Sequence, residues 1–117
     1  MKYQKGRDVS FTESVPSAVE KLIAAVNAQD TDGFIGAFRP DAVIDDWGRQ
    51  VVGHDEIRAW NEREFTGPHA RIDVTRVERA GQTIVLTVLT SRGTSRSSAH
   101  LAFDIDDDMV TRMTIRA

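Results

Sequence analysis

The sequence contains no cysteine. Disulfide bonds, thiol nucleophiles and thiolate metal sites are therefore excluded. Proteins without disulfides are typical of reducing compartments, so we expect a cytoplasmic location.

Long apolar runs are also missing, and no segment approaches the roughly 20 apolar residues that a membrane-spanning helix needs. We therefore expect no membrane partner and no cleaved targeting segment. The chain also lacks a large excess of charge of either sign, because 15 basic and 18 acidic residues are mixed along it and leave a net charge of -3. Without a basic stripe to neutralise phosphates, nucleic acid is not an expected partner.

The chain of 117 residues is long enough for one compact core. Residues 1–13 are polar and have no clear period. We therefore predict a flexible N-terminal arm over residues 1–13 and a single domain over residues 14–117.

A first helix is predicted over residues 15–29, where apolar side chains recur every three or four positions. Two helix starts fit the pattern. Ser17 and Glu20 have the spacing of a capping box, whereas Ser14 followed by Pro16 inside the first turn is an equally good start.

A second, shorter helix is predicted over residues 31–38. Asp30 or Thr31 would cap it, and Pro40 would stop it. The runs AVIDDW and RQVV then flank Gly48 and predict a tight β-hairpin.

A third helix is predicted over residues 54–65, where the helical period returns. The chain after it is strand-like, with four runs separated by short turns at residues 70–79, 82–92, 95–105 and 109–116. Short turns favour an antiparallel meander. The fold class is therefore α+β, with three N-terminal helices packed on one face of a curved, mostly antiparallel sheet.

Two adjacent aspartates, Asp45 and Asp46, end the first strand of the hairpin. Successive side chains of a strand point to opposite faces, so one aspartate should face inward and the other should be solvated. Ile44 shares a face with Asp46, and an apolar surrounding would suit that carboxyl to general acid/base work. The alternative is that both aspartates only help to form the turn at Trp47 and Gly48.

Trp60 has the helical phase of Ile57 and should be buried on the inner side of the third helix. A buried indole N–H needs an acceptor, and Asp46 is a candidate. The other tryptophan, Trp47, has the opposite phase and should pack outside, against the third helix or a partner chain.

Histidine offers no metal site, because His54, His69 and His100 share no ligand spacing. His100 alternates with Leu101 and Phe103, so it should face away from the apolar side of its strand.

The segment LIAAVNAQDTDGFIGAFRPDAVIDDWG, followed by VVGHDEIRAW, resembles the nuclear transport factor 2-like superfamily. Within it, the similarity is to the ketosteroid isomerase and SnoaL-like polyketide cyclase branches. The resemblance implies a cone-shaped fold, a mostly apolar cavity for a small organic ligand, and a homodimer formed through the outer sheet face. It implies no metal and no organic cofactor.

In the isomerase branch, the position of Asp46 is that of the base that moves a proton. The resemblance places two further positions, those of the oxyanion donors, on Leu22 and on or next to Ala99, neither of which has a polar side chain. The cavity wall would be formed by Trp60, Ile44, Leu22 and Phe38, and Asn61 could assist.

Two functions stay open from the sequence. The protein is either a cofactor-independent isomerase, cyclase or dehydratase that uses Asp46, or a non-catalytic ligand-binding or dimerisation module of the same fold.

Overall fold

The structure is a computed structural model that describes residues 15–117. The predicted arm and the alternative helix start at Ser14 lie outside the described residues. The division into an arm and one domain therefore stays a prediction.

Three helices are present in the described part of the chain: α1 (Ser17–Asn27), α2 (Thr31–Gly36) and α3 (Gly53–Glu64). The first begins directly after Pro16, without a side-chain cap. The hydroxyl of Ser17 donates instead to the carboxylate of Asp108, at 2.8 Å, so the predicted capping box with Glu20 is not formed.

Asp30 caps α2, because its carboxylate accepts the backbone N–H of Gly33 at 3.0 Å. The prediction that this helix reaches Phe38 was wrong, since the helix ends at Gly36 and Phe38 opens a strand. The physical reason is tertiary: the carbonyl of Ala37 accepts the N–H of Val110, which pulls the chain into the sheet.

Six strands form one sheet: β1 (Phe38–Asp46), β2 (Arg49–Val52), β3 (Arg71–Ala80), β4 (Thr83–Arg92), β5 (Ser95–Asp106) and β6 (Met109–Arg116). Their order is β2-β1-β6-β5-β4-β3, and all neighbours are antiparallel except β1 and β6. The α+β class and the mostly antiparallel sheet are confirmed. The helices do not all precede the sheet, however, because β1 and β2 lie between α2 and α3.

The hairpin between β1 and β2 turns on Trp47 and Gly48, which have φ angles of 55° and 93°. Two successive left-handed residues match the twist of a two-residue hairpin. Trp47 is 60% exposed in the single chain, so it lies outside the core.

The core lies between the helices and the inner face of the sheet. The inner face carries a row of cross-strand neighbours, Ile44, Met113, Phe103 and Ile84, none of them more than 1% exposed. Buried side chains of α1 and α3 cover this row, so that strand residues on the same face as Ile44 point toward the helices.

Candidate functional site

Asp46 lies on the inner face of β1, two residues after the buried Ile44. The indole Nε1 of Trp60 donates a hydrogen bond to its Oδ2 at 3.0 Å. This is the acceptor that the sequence predicted for the indole N–H. The carboxylate and the indole are thus held together across the interface of β1 and α3.

The start of α3 places Trp60 at this point. Gly53 takes a φ of 85°, which favours glycine and turns the chain from β2 into the helix. Glu56 then accepts the backbone N–H of Val52 at 2.9 Å and closes the first turn. One helical turn after the buried Ile57, Trp60 faces the sheet.

Asp46 is half-buried, and within residues 15–117 its carboxylate has no side-chain partner other than Trp60. The indole occupies Oδ2, and no side chain of these residues donates to Oδ1.

Three phenyl rings, those of Phe34, Phe38 and Phe65, pack in one cluster with the Trp60 indole. The ring of Phe34 lies 5.1 Å from that of Phe38, 6.0 Å from that of Phe65 and 6.4 Å from that of Trp60. Trp60 and Phe65 meet edge to face at 4.9 Å. The sequence does not join Phe34 and Phe65 to the site, because only tertiary packing brings α2 and the end of α3 together.

The four residues predicted to form a cavity wall, and Asn61, which was predicted to assist, all lie in the core. Trp60 is 1% exposed, and four others are fully buried: Leu22, Phe38, Ile44 and Asn61. A side chain that lines a cavity large enough for water has surface that is accessible to a water-sized probe. These five side chains have almost no accessible surface, so they do not line such a cavity in the structure. Their role in ligand binding stays a prediction.

The side chain of Asn61 is committed to a neighbour. Its Nδ2 donates to the hydroxyl of Thr66 at 2.8 Å, and that hydroxyl also bonds to the hydroxyl of Thr31 at 2.9 Å. This buried polar chain ties the end of α3 to the start of α2.

The prediction that the aspartate opposite Asp46 is solvated was wrong, because Asp45 is only 7% exposed. Arg116 donates from Nη1 to Oδ1 at 3.1 Å and from Nη2 to Oδ2 at 3.2 Å. Arg112 donates to Oδ2 at 3.1 Å, and the N–H of Gly48 donates to Oδ1 at 2.7 Å. Both arginines come from β6, whose outer face is next to that of β1, and they replace the water that Asp45 would otherwise need.

The hydrogen bonds from Arg116, then that from the Gly48 N–H, hold the pKa of Asp45 below its ordinary value of 3.8, and the positive charge of both arginines acts in the same direction. Ionised Asp45 therefore stabilises the folded protein at neutral pH. This stabilisation is fully present above the unfolded pKa and is lost as the pH falls through the lower, folded pKa.

We expect Asp45→Asn to lower the free energy of unfolding at neutral pH. Because protonated Asp45 resembles asparagine, the difference between the two proteins should shrink once the pH falls below 3.8. Urea unfolding of both proteins across this range measures it. A difference that stays constant from about pH 6 to about pH 2 would contradict the linkage.

A groove of about 450 Å³ lies elsewhere, on the outer side of α1 and α2. Small side chains and two charged ones line it: Lys21, Ala24, Ala25, Ala28, Asp30, Gly33, Gly36 and Ala37. It shares no residue with the Asp46–Trp60 pair.

The three histidines stay apart. His54 bonds to the carbonyl of Phe38 and His100 to that of Ala117, each at 2.9 Å, and His69 contacts Gln29. Within residues 15–117, no three or more histidine or acidic side chains are grouped so that they could hold a metal ion. None of the helices described is long and apolar enough to cross a membrane.

The order of these elements is that of a nuclear transport factor 2-like fold. The SnoaL-like domain family matches residues 19–116, nearly the whole chain, and the protein belongs to this family. No curated protein matches the sequence at a significant level.

Solved structures of low sequence identity share the fold. A putative polyketide cyclase from Sinorhizobium meliloti is 22% identical, with a TM-score of 0.76 over 87% of this chain and 95% of that one. The Δ5-3-ketosteroid isomerase from a Mycobacterium species is 15% identical, with a TM-score of 0.75 over 86% and 90%. A Mycobacterium tuberculosis protein in complex with estradiol-17β-hemisuccinate is 13% identical, with a TM-score of 0.75 over 85% and 89%.

The two positions that the resemblance assigns to oxyanion donors are apolar in the structure as well. Leu22 is fully buried in α1, and Ala99 packs against the core from β5. Neither offers a hydrogen bond to a developing enolate.

Proposed function

We propose that this protein binds a small apolar organic molecule beside Asp46 and that Asp46 acts on it as a general acid/base. The reaction would be proton transfer next to a carbonyl, or the related cyclisation or dehydration. The observation that carries this proposal is the hydrogen bond of 3.0 Å between the Trp60 indole and Asp46 Oδ2, which leaves the other carboxylate oxygen open.

In such a reaction, Asp46 Oδ1 takes a proton from the carbon next to the carbonyl, and the electron pair moves onto the carbonyl oxygen. The protonated carboxyl then returns the proton to the same carbon or to a conjugated one. Trp60 would hold the carboxylate in one rotamer throughout, so that the open oxygen faces the ligand.

Leu22 and Ala99 cannot donate to the enolate, which limits the substrates that this chemistry could use. Proton abstraction would be efficient only where the substrate itself delocalises the negative charge, as a second carbonyl or a conjugated alkene does. A fast isomerase with two protein oxyanion donors is therefore not proposed.

Deuterium uptake tests the proposal on the wild-type protein. Three apolar probes would be incubated in D2O: a Δ5-3-ketosteroid, a 1,3-diketone and a β-hydroxyketone. Mass spectrometry measures deuterium at carbon, and the last probe also reports dehydration. We expect exchange of at least one probe to exceed the buffer rate. Buffer rates for all three, together with no binding of estradiol-17β-hemisuccinate, would contradict the proposal.

A second candidate function is a non-catalytic binding or dimerisation module. It is favoured by the packing of Leu22, Phe38 and Ile44, which expose no surface to a cavity. A ligand at Asp46 would then have to enter at the end of β1, where Asp46 is half-buried. Binding of the steroid probe without deuterium uptake would favour this second function.

The outer sheet face is the surface through which we propose that two copies of the chain pair. Four half-buried apolar side chains lie on this face: Val85 and Leu89 on β4, Ala102 on β5 and Val43 on β1. The exposed Val52 lies beside Val43 in register. A second copy would cover this surface. We also propose that the protein is cytoplasmic.

Replacing Val85 by Lys is expected to turn the dimer into a monomer. A lysine charge without a partner in a buried interface costs about 3 kcal/mol, which corresponds to a roughly 100-fold weaker dissociation constant. Sedimentation velocity measures the mass of each form, and Thr94→Lys at an exposed turn is the matched control. A wild-type protein that sediments as a monomer, or a Val85→Lys dimer of unchanged affinity, would contradict this interface.

A further inference from the structure

Asp45 is held more tightly than Asp46, although it points away from the candidate site. Its carboxylate accepts four hydrogen bonds, two from Arg116, one from Arg112 and one from the N–H of Gly48. Only 11% of its side-chain surface is exposed, against 37% for Arg112 and 47% for Arg116. We name Asp45, Gly48, Arg112 and Arg116 the Asp45 clamp.

The Asp45 clamp joins three parts of the backbone. Asp45 belongs to β1, Gly48 to the turn, and both arginines to β6, 67 and 71 residues further along the chain. Paired charges in a fork geometry restrict the position of the carboxylate more than a single contact would. The clamp therefore fixes the end of β1 against β6.

Asp46 is the last residue of β1 and needs such support. Beyond it the chain turns at once through Trp47 and Gly48, two left-handed residues at the surface. Its own register rests on Arg49 across the hairpin and Ile115 on β6. Strand ends fray unless they are tied down, and a shift of about 1 Å at a reacting group is enough to cost a large part of its rate.

We infer that Asp45 is a positioning residue: its bonds to Arg112 and Arg116 hold the end of β1 so that Asp46, on the opposite face, stays within hydrogen-bond reach of Trp60. The catalytic consequence rests on the proposed function of Asp46. The geometric consequence, the Asp46–Trp60 distance, does not.

Asn at position 45 preserves the size of the side chain and removes its charge. It keeps one oxygen for Gly48 but cannot accept from both arginines, and its amide group repels the guanidinium that approaches it. The end of β1 should loosen, and the indole of Trp60 should lose its hydrogen bond for part of the time.

The experiment follows the indole N–H signal of Trp60 in 15N-labelled full-length protein. Trp47→Phe assigns the two indole signals, and Asp46→Ala gives the signal position when the hydrogen-bond acceptor is gone. We expect Asp45→Asn to move the Trp60 indole signal by more than half of the displacement seen in Asp46→Ala. Asp106→Asn is the matched control, because Asp106 on β5 also pairs with an arginine of the sheet, Arg39 on β1, at 3.2 Å but is 74% exposed. It should leave the signal in place.

A folded Asp45→Asn protein with an unmoved Trp60 signal would overturn the inference and leave Asp45 a purely structural residue. If Asp45→Asn does not fold, the Arg116→Lys variant is measured in its place. Lysine keeps the positive charge but cannot form the bidentate hydrogen bonds that Arg116 makes to Asp45. That variant should move the signal in the same direction by a smaller amount, and an unmoved signal overturns the inference there as well.

Deuterium uptake separates this inference from the proposed function. If both hold, Asp45→Asn lowers the rate constant for exchange and leaves the affinity for the probe nearly unchanged. If Asp46→Asn retains full activity while Asp45→Asn still moves the Trp60 signal, the proposed function fails and the positioning geometry stands.

Discussion

Replacing Asp46 by Asn is expected to lower the rate of proton transfer by about 100-fold to 10,000-fold, the usual contribution of a general base. Asparagine has the same shape and keeps an oxygen that accepts the Trp60 indole N–H. It has no basic oxygen with which to take a proton from carbon. The rate of deuterium uptake by the responsive probe, measured for wild type and variant at the same probe concentration, gives the ratio.

Asp41→Asn is the control for this substitution, because Asp41 is an exposed aspartate on the same strand. We expect it to retain the wild-type rate. Urea unfolding of the Asp46→Asn protein should show a folded domain, so that lost activity is not lost structure. Full activity in Asp46→Asn would remove Asp46 from the mechanism.

Phe34→Ala is expected to lower the free energy of unfolding by about 3–5 kcal/mol, the range for deleting a buried phenyl ring. Phe34 is fully buried, and its ring contacts those of Phe38, Trp60 and Phe65. Deleting it leaves a cavity beneath the candidate site and removes three ring contacts. Urea unfolding followed by circular dichroism measures the loss.

Phe34→Leu should cost much less, because leucine fills most of the same space. Glu62→Ala at an exposed position of α3 should change stability by no more than about 0.5 kcal/mol. If Phe34→Ala were as stable as wild type, the aromatic cluster would not be the core of the helix layer.

The strands and the third helix could be predicted from local patterns. The run at residues 109–116 became β6 with unchanged bounds, and the helical period around Ile57 and Trp60 placed α3 within one residue at each end. These segments are long and alternate or repeat clearly, so local sequence and tertiary packing favour the same structure.

The environment of Asp45 could not be predicted from its neighbours in sequence. Arg112 and Arg116 lie 67 and 71 residues away, and only the parallel pairing of β1 with β6 brings them to its face. The predicted end of α2 was wrong for the same reason, because Phe38 pairs with β6 instead of continuing the helix. In both cases a contact distant in sequence outweighed a local preference.

The pairing of Asp46 with Trp60 was within reach of the sequence because each half has a local argument. Alternation along β1 places Asp46 on the face of Ile44, and the helical period places Trp60 on the inner side of α3. The packing around the pair could not be predicted from the sequence, because it depends on how Phe34 and Phe65 pack against the indole.

The packed core also bears on the choice between the two proposed functions. A ligand that reached Asp46 through the interior would have to displace Phe38 or Ile44, both fully buried. Entry at the end of β1, beside the half-buried carboxylate, would leave Phe38 and Ile44 in place. Binding at that end of the strand is the arrangement common to the catalytic and the non-catalytic proposal.

The most direct test of the central claim is to map where a ligand binds, using backbone and indole N–H signals of 15N-labelled protein titrated with estradiol-17β-hemisuccinate. The site described above predicts that the Trp60 indole and the backbone of Asp46 shift first and by the largest amounts, and that Asp46→Asn alters these shifts. Shifts confined to the α1–α2 groove around Ala24 and Gly33, with the Trp60 indole unchanged, would contradict it.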